Sequence, residues 1–399
     1  MNMRNKALAA AALVAAGLAV AATGSRLQPD AAAAPPAPIP VIAGLQPQDR
    51  GLSARLLAAD DLPADLHPSP LQAEGRLVWM QPGQSLRHHW PGLVIHGRFD
   101  GTLAYLVFDD AVNRFRLTVD GARETALILT RPGRAVIELA GLAPGPHDIT
   151  LEKLNESAAP AGFGGIWAKA AAPAAPADRR PLIEFIGDSE TVGYGNTAPG
   201  RDCTAEAVFL ATDSTAAFPA RVAAGLGGQA RVIAQSGIGI VRNHEGLSPG
   251  ITMTDLYPLD EPKAAALPAL PEPPAQLVVL ALGSNDFSTP LDKGESWDGT
   301  PDLEADAAAG LAELARAALQ RNPGAELLLL AFAEHGDSLM EAHRQAMAHI
   351  KPEAPQVRLV TLPALDRTAC QAHPSVGDHA RIAEILLATI AELPPQWRQ

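Results

Sequence analysis

The feature that most restricts how this chain can fold is the alternation of two kinds of segment over residues 182–399. Short apolar runs, such as residues 182–186 and 277–282, are typical of strands buried in a parallel sheet. They alternate with stretches such as residues 303–320, in which apolar side chains recur at the spacing of a helix. This alternation predicts an α/β domain whose parallel sheet is covered by helices on both faces.

Residues 49–168 show a different rhythm and predict a second architecture. Short segments alternate apolar and polar residues, and turn signals such as Asp120-Gly121 separate them. This spacing is typical of an all-β sandwich. The Ala- and Pro-rich residues 168–181 divide the two regions. The sequence therefore predicts a β-sandwich domain over residues 49–168 and an α/β domain over residues 182–399.

Residues 1–22 have the organisation of a secretory signal peptide. Arg4 and Lys6 precede an apolar run that ends in the small residues of a cleavage site. A membrane anchor is the alternative, but the run is short and rich in weakly hydrophobic alanine. Residues 23–48 are rich in Ala and Pro and predict a linker. We therefore expect a periplasmic or secreted protein that is not held at the membrane after signal cleavage.

The distribution of charge and of ligand-type residues disfavours several classes of function. The net charge of −13 is spread along the chain, whereas a nucleic-acid-binding protein needs a basic face. No pair of Cys or His stands at the spacing of metal ligands. The glycine pairs at residues 193–195 and 237–239 lack the lysine or further glycines of phosphate and dinucleotide motifs. We expect no cofactor, no metal, no nucleic acid and no obligate protein partner.

Small and polar residues follow three of the strand-like runs in the α/β region. Ser189, Gly237 and Asn285 stand at these three breaks, and His373 precedes the last helix-like segment. Because the carboxyl ends of parallel strands meet at one edge of a sheet, we expect the three breaks to share a site. A serine hydroxyl attacks an ester only with a base in hydrogen-bond reach, and amide donors then hold the oxyanion.

The residues around these positions resemble the SGNH (GDSL-type) hydrolase superfamily and, in detail, carbohydrate esterase family 2, a family of acetyl esterases. The matching motifs are Gly-Asp-Ser-x-Thr-x-Gly-Tyr-Gly-Asn at residues 187–196, Ser-Gly-x-Gly-x-Val-Arg-Asn at residues 236–243 and Gly-Ser-Asn-Asp-Phe-Ser at residues 283–288. The resemblance implies a flavodoxin-like, three-layer parallel-sheet domain. It also implies that the preceding β-sandwich is a jelly roll.

The resemblance also implies a role for each of the aligned residues. Ser189 would be the nucleophile, and His373 would be the general base and then the general acid. The backbone amides of Ser189 and Gly237 and the side-chain amide of Asn285 would form the oxyanion hole. His379 lies on the predicted closing helix, and we expect a structural role for it.

The group that orients His373 departs from the family pattern. Members of the family usually carry an Asp a few residues before this histidine, whereas here Gln371 stands two residues before it. Gln371 can offer an amide oxygen but no charge. Asp366 is the nearest upstream acid, and a backbone carbonyl in a Ser-His dyad is a third candidate. The sequence leaves these alternatives open.

Five further residues flank the predicted site. Cys203 and Cys370 would tie the two catalytic loops together if bridged, but two buried thiols fit the sequence equally well. Trp297 is either a wall on which a sugar ring stacks or an exposed loop aromatic. Asp188 and Asp286 are expected to brace loops rather than transfer protons.

Taken together, these features predict an exported serine esterase that removes O-acetyl groups from carbohydrates or polysaccharides through an acyl-enzyme. One alternative is a lipase, arylesterase or thioesterase on the same fold. Another is a carbohydrate-binding protein whose catalytic site has decayed, which the glutamine at position 371 favours.

Overall fold

The computed structural model of the chain describes residues 41–43, 52–159, 161–171, 173, 178–259, 272–394 and 397. The predicted signal peptide, residues 1–22, lies outside this part of the chain, as does most of the predicted linker over residues 23–48. No helix within the described ranges combines the length and apolar character needed to cross a bilayer.

The N-terminal part of the chain consists of short strands. They are β1 (Val41–Ala43), β2 (Ser53–Ala58), β3 (His67–Pro68), β4 (Leu71–Glu74), β5 (Leu77–Gln81), β6 (Ser85–His88), β7 (Val94–Asp100), β8 (Leu103–Asp110), β9 (Arg114–Val119), β10 (Leu127–Thr130), β11 (Gly133–Ala140), β12 (Pro146–Lys153), β13 (Ala161–Ala168) and β14 (Ala170–Ala171).

These strands form two seven-stranded antiparallel sheets. One has the order β1-β10-β9-β12-β7-β14, with β4 also beside β7, and the other has the order β2-β11-β8-β13-β6-β5, with β3 beside β13. Phe99 and Phe115 of the first sheet pack in the same buried core as Phe108 and Phe163 of the second. The alternation of buried and exposed residues in strands such as β7 places one face of each sheet in this core. The predicted β-sandwich is therefore present, and its jelly-roll topology stays a prediction.

The sandwich extends beyond the predicted bounds at both ends. Strand β1 lies within the predicted linker and pairs with β10, and β14 lies beyond residue 168 and pairs with β7. The predicted bounds are wrong at these two points. An extended segment that satisfies its backbone hydrogen bonds at an open sheet edge can join the sheet despite an Ala- and Pro-rich composition around it.

The C-terminal part alternates strands and helices. They are β15 (Leu182–Gly187), α1 (Ser189–Val192), α2 (Ala205–Ala211), α3 (Phe218–Leu226), β16 (Gln229–Ala234), α4 (Met253–Leu256), β17 (Leu277–Ala281), α5 (Thr300–Arg321), β18 (Glu326–Phe332), α6 (Asp337–Ile350), β19 (Arg358–Leu362) and α7 (Val376–Ala391).

The five strands form a parallel sheet in the order β16-β15-β17-β18-β19. Counted from β15, this is the order 2-1-3-4-5 of flavodoxin-like sheets. Helices α3 and α7 pack on one face, with Phe218 and Leu386 in the core between helices and sheet. Helices α5 and α6 pack on the other face, with Leu311 and Ala346 in a second core. The predicted three layers are therefore present, because each helix buries one apolar stripe against the sheet.

The sandwich and the α/β part share buried contacts. Arg76, in the turn between β4 and β5, lies 3.5 Å from Glu184 on β15, and Arg231 on β16 donates to the same carboxylate at 2.5 Å. These three side chains are at most 2% exposed. Trp90 joins the core of the α/β part, and its indole N–H donates to the Leu259 carbonyl. The position of the sandwich against the sheet is therefore fixed by both apolar and ionic contacts.

Candidate active site

Ser189 and His373 form a short contact at the edge of the parallel sheet. Ser189 begins α1 directly after β15, and His373 precedes α7. The Ser189 Oγ lies 2.9 Å from His373 Nε2. The serine is 7% exposed, so it is largely buried. The structure thus brings together the serine and the histidine that the sequence singled out.

The strand-to-helix turn at Ser189 depends on a glycine. A Cβ at Gly187 would lie 1.9 Å from Thr191 Oγ1 and 2.9 Å from the Ala281 carbonyl oxygen. Such distances are far inside van der Waals contact, so any side chain at this position would displace the neighbouring strand or the helix. The chain can therefore turn sharply at this point and hold the serine at the carboxyl end of β15.

A backbone carbonyl orients the imidazole. His373 Nδ1 lies 3.0 Å from the carbonyl oxygen of Cys370. Because a carbonyl can only accept, Nδ1 carries the proton and donates it. Nε2 is then unprotonated and accepts from the Ser189 hydroxyl. The Tyr194 ring packs against the imidazole, with the two ring centroids 4.5 Å apart.

The Gln371 side chain does not orient His373, contrary to one of the candidates above. Its amide oxygen accepts from the Tyr194 hydroxyl at 3.1 Å. The backbone turns left-handed at Gln371 and Ala372, with φ of 50° and 59°. This turn directs the exposed glutamine side chain away from the ring and leaves the Cys370 carbonyl beneath it. Asp366 is exposed, and within the described ranges no carboxylate lies within hydrogen-bond distance of the imidazole.

Cys203 and Cys370 are joined by a disulfide, with their Cα atoms 5.4 Å apart. The bridge fixes the residue whose carbonyl orients His373. The backbone amide of the next residue, Gln371, donates to the Arg201 carbonyl at 2.8 Å. The loop that carries the histidine is therefore tied to the loop that follows the serine.

Two backbone amides are predicted from the sequence to receive an oxyanion beside Ser189. They belong to Ser189 itself and to Gly237, which follows the neighbouring strand β16 and has a left-handed φ of 78°. Neither amide donates to another group in the described part of the chain. Glycine reaches this backbone conformation without strain.

Asn285 lies in the same cluster, but its amide is already engaged. Its Nδ2 donates to the Ile238 carbonyl at 2.8 Å and to the Asp188 carboxylate at 3.2 Å. Both amide hydrogens therefore have protein acceptors. To act as a third donor, Asn285 has to exchange the longer bond, to Asp188, for one to the oxyanion.

Asp188 and Asp286 accept hydrogen bonds from the loops around the site. The Asp188 carboxylate accepts from the Glu190 amide and the Ser284 hydroxyl, and Asp286 accepts from the amides of residues 240–242. Burial raises the pKa of Asp188 to about 7, with the charge of Glu190 adding to it, and burial raises the pKa of Asp286 to about 6. Their contacts agree with the loop-bracing role expected from the sequence.

Comparison with known proteins identifies the family. The Carbohydrate esterase 2 N-terminal family profile matches residues 73–177. Over 352 residues the chain is 34% identical to the acetylxylan esterase / glucomannan deacetylase of Cellvibrio japonicus, covering 87% of this chain and 96% of that protein. The chain belongs to carbohydrate esterase family 2. It is therefore a carboxylic-ester hydrolase.

Solved structures of carbohydrate esterases superpose on this family 2 esterase. One of them is a carbohydrate esterase whose active site displays divergent catalytic and non-catalytic binding functions. It is 32% identical to this chain, with a TM-score of 0.76, and the superposition covers 83% of this chain and 100% of the solved chain. The family two carbohydrate esterase from Clostridium thermocellum in complex with cellohexaose is 25% identical, with a TM-score of 0.66. The superposition covers 80% of this chain and 98% of the Clostridium thermocellum chain.

An ionic cluster that the sequence analysis missed lies beside Ser189. Glu190 is 3% exposed and accepts from His335 at 2.9 Å and from Arg367 at 2.6 Å. Burial acts to raise the pKa of Glu190, but the His335 hydrogen bond and the charge of Arg367 outweigh it and lower that pKa to about 2. Arg367 also donates to the Ala372 carbonyl at 3.3 Å. The cluster thus links the residue after Ser189 to the residue before His373.

The pKa of His373 reflects several opposing influences. Burial lowers it below the usual histidine value, while the charge of Glu190 and the hydrogen bond to Cys370 raise it and offset only part of the effect. His373 is therefore neutral at neutral pH, as a general base must be. His379 is fully buried and its Nδ1 accepts from the Phe218 amide, which is a structural contact.

Trp297 lines an open cavity of about 420 Å³ whose walls come from residues 291–295 and 297–300. Its indole N–H donates to Asp306 at 3.0 Å. The cavity walls include neither Ser189 nor His373. A sugar-stacking role for Trp297 stays a prediction. Within the described ranges, no three His, Cys, Asp or Glu side chains come together as metal ligands would.

Proposed function

We propose that this family 2 esterase removes O-acetyl groups from carbohydrates, with Ser189 as nucleophile and His373 as general base. The observation that carries the proposal is the 2.9 Å contact between the Ser189 hydroxyl and Nε2 of His373, whose other nitrogen donates to the Cys370 carbonyl. The two contacts support Nδ1 as the protonated nitrogen and Nε2 as the acceptor of the serine proton.

The first half-reaction forms an acetyl-enzyme. Ser189 Oγ attacks the acetyl carbonyl carbon while Nε2 of His373 takes the hydroxyl proton. The carbonyl oxygen becomes an oxyanion that accepts from the amides of Ser189 and Gly237. The resulting imidazolium gives its proton to the sugar oxygen as the C–O bond to the acetyl carbon breaks. The free sugar hydroxyl leaves, and the acetyl group stays on Ser189.

The second half-reaction releases acetate by the reverse sequence of proton transfers. Nε2 takes a proton from a water molecule as the water oxygen attacks the acetyl carbon. The same amides hold the second oxyanion. The imidazolium then returns its proton to Ser189 Oγ as the acyl bond breaks, which restores the starting state.

A carbohydrate substrate is supported by the relatives. One relative is an acetylxylan esterase / glucomannan deacetylase, and another was solved with cellohexaose. Export to the periplasm or medium, through the predicted signal peptide over residues 1–22, would bring the enzyme to polysaccharides. A bridged Cys203–Cys370 pair is consistent with an oxidising compartment.

Acetate release from acetylated xylan tests the proposal. Wild-type protein should release acetate, and Ser189→Ala should lose activity by on the order of 10³–10⁶-fold while its circular dichroism and thermal midpoint stay unchanged. Ser296→Ala, which changes an exposed serine, is the matched control and should be fully active. Retained turnover in Ser189→Ala would refute the assignment.

Chain-length preference separates this proposal from the lipase, arylesterase or thioesterase alternative. Nitrophenyl acetate should be turned over much faster than nitrophenyl palmitate, and the reverse order would favour a lipase. The short Ser189–His373 contact argues against a carbohydrate-binding protein with a decayed site.

A further inference from the structure

The sandwich contributes a side chain to the active-site loops. The segment after β12, residues 154–158, is hydrogen-bonded both to the sandwich and to the α/β part. Its Glu156 carboxylate accepts from the backbone amide of Ser236 at 2.8 Å, one residue before Gly237. We propose that Glu156 is a positioning residue that holds the Gly237 amide toward the oxyanion, an inference that rests on the function proposed above.

The loop after β16 needs such a support. β16 is an edge strand of the sheet, so among the described residues no further strand pairs with its outer side. Two of the nearby backbone bonds, from Gln235 to the Gly187 carbonyl and from Ile238 to the Gln235 carbonyl, are 3.3 Å long, and the His244 amide donates to the Gly237 carbonyl at 3.0 Å. The bond to Glu156, at 2.8 Å, is shorter than these and is made to a charged acceptor, which strengthens it. Fixing the amide plane at Ser236 restricts the orientation of the next amide, that of Gly237.

Glu156 is itself held on a rigid base. The side-chain amide of Asn155 donates to the Glu156 carbonyl at 2.7 Å, and the backbone amide of Ser157 donates to the His89 carbonyl at 3.2 Å. Lys153 is fully buried, and its ammonium donates to the Ser157 hydroxyl at 2.6 Å. A segment pinned on both sides of Glu156 keeps the carboxylate at a fixed place.

The same segment is anchored to the α/β part beside the nucleophile. The Ser214 amide donates to the Leu154 carbonyl at 2.8 Å, and the Ser214 hydroxyl donates to the Val192 carbonyl at the end of α1. Glu156 therefore keeps its place relative to Ser189 as well as to Gly237. Any movement between sandwich and sheet at this point would reach both oxyanion donors.

The charge of Glu156 also reaches the other side of the cleft. Burial raises the pKa of Tyr194 to about 12, and the Glu156 carboxylate adds to this effect. Tyr194 packs on the His373 ring. The Glu156 carboxylate therefore lies near enough to Tyr194 for its charge to act on that side chain, which agrees with a role in the site rather than at a remote domain contact.

Kinetics of two substitutions test the proposal on nitrophenyl acetate. Glu156→Ala should lower kcat by roughly 10- to 100-fold with little change in KM. This fall is smaller than the loss of about 10²–10³-fold in kcat that follows removal of a whole oxyanion donor. Glu156→Gln should stay within a few-fold of wild type, because its amide oxygen still accepts from the Ser236 amide. If Glu156→Ala does not fold, Glu156→Asp is measured in its place. The aspartate side chain is one methylene shorter, and we expect the same fall in kcat.

Glu206→Ala is the matched control. Glu206 also crosses between the two parts, through bonds of 2.8 and 2.7 Å from Arg131, but at an exposed position. The kcat of Glu206→Ala should equal that of wild type. An unchanged kcat in Glu156→Ala, even with a lower thermal midpoint, would overturn the proposal, and so would a Glu156→Gln variant as slow as Glu156→Ala.

Different results would contradict the role of Glu156 and the proposed catalytic mechanism. If Ser189→Ala is inactive and Glu156→Ala turns over at the wild-type rate, only the role of Glu156 is wrong. If Ser189→Ala is active, the proposed mechanism itself is wrong.

Discussion

The imidazole Nδ1 of His373 lies 3.0 Å from the backbone carbonyl oxygen of Cys370. This contact takes the place that an aspartate has in a Ser-His-Asp triad. It fixes the tautomer and the direction of the ring but supplies no full negative charge. In the proposed mechanism, the esterase relies on a rigid loop, held by a disulfide and by Arg367, to keep its base in position.

Loss of the Gln371 side chain should have little effect. Gln371→Ala keeps the Cys370 carbonyl and removes only the hydrogen bond from Tyr194. We expect kcat/KM on nitrophenyl acetate to stay within a few-fold of wild type. A loss of about 10²-fold would mean that the glutamine amide, and not the carbonyl, orients the ring.

Removal of the disulfide should lower both stability and rate. The bridge closes a loop of 167 residues, so its loss should reduce the free energy of unfolding by about 5 kcal/mol in the chain-entropy account. We expect kcat to fall in Cys203→Ala/Cys370→Ala because the Cys370 carbonyl is no longer fixed. Denaturant titration and steady-state kinetics measure the two effects. Wild-type protein in dithiothreitol should behave like the double variant, and full activity in both would separate the bridge from catalysis.

The acid limb of the pH profile should lie below the usual histidine value. Nε2 must be neutral to accept the serine proton, so kcat/KM falls as pH drops through the pKa of His373. Because burial lowers that pKa, the midpoint should lie below about 6.5. The charge of Glu190 favours the protonated ring, so Glu190→Gln should move the midpoint further down. A midpoint above about 6.5 would contradict the burial of a neutral imidazole.

Asn285 should contribute to the rate although its amide is engaged in the free enzyme. If it exchanges its bond to Asp188 for one to the oxyanion, Asn285→Ala should lower kcat by about 10²–10³-fold. Ser284→Ala removes a neighbouring bond to the same carboxylate and is the control, with an expected loss of only a few-fold. Equal losses in the two variants would show that both act through Asp188.

The sequence was sufficient to predict the parts of the fold and site that depend on local pattern. The strand-helix alternation predicted the three-layer sheet, and the breaks after β15, β16 and β17 predicted that Ser189, Gly237 and Asn285 would lie at one edge. These inferences succeed because adjacent parallel strands end at the same side of a sheet.

The contacts that complete the site could not be predicted in the same way. The carbonyl that orients His373 depends on left-handed backbone at Gln371 and Ala372, two residue types that rarely adopt it. Glu190 pairs with Arg367, and Glu156 reaches Ser236 from another domain. Such pairings join positions far apart in the chain, so no local sequence pattern predicts them.

Labelling with a fluorophosphonate, followed by peptide mass spectrometry, is the sharpest test of whether Ser189 is a nucleophile activated by His373. We expect a single phosphonyl adduct on Ser189, formed rapidly in wild type and at a greatly reduced rate in His373→Ala, because the serine is nucleophilic only when Nε2 takes its proton. An adduct on another residue, or labelling of Ser189 at the same rate without the histidine, would contradict it.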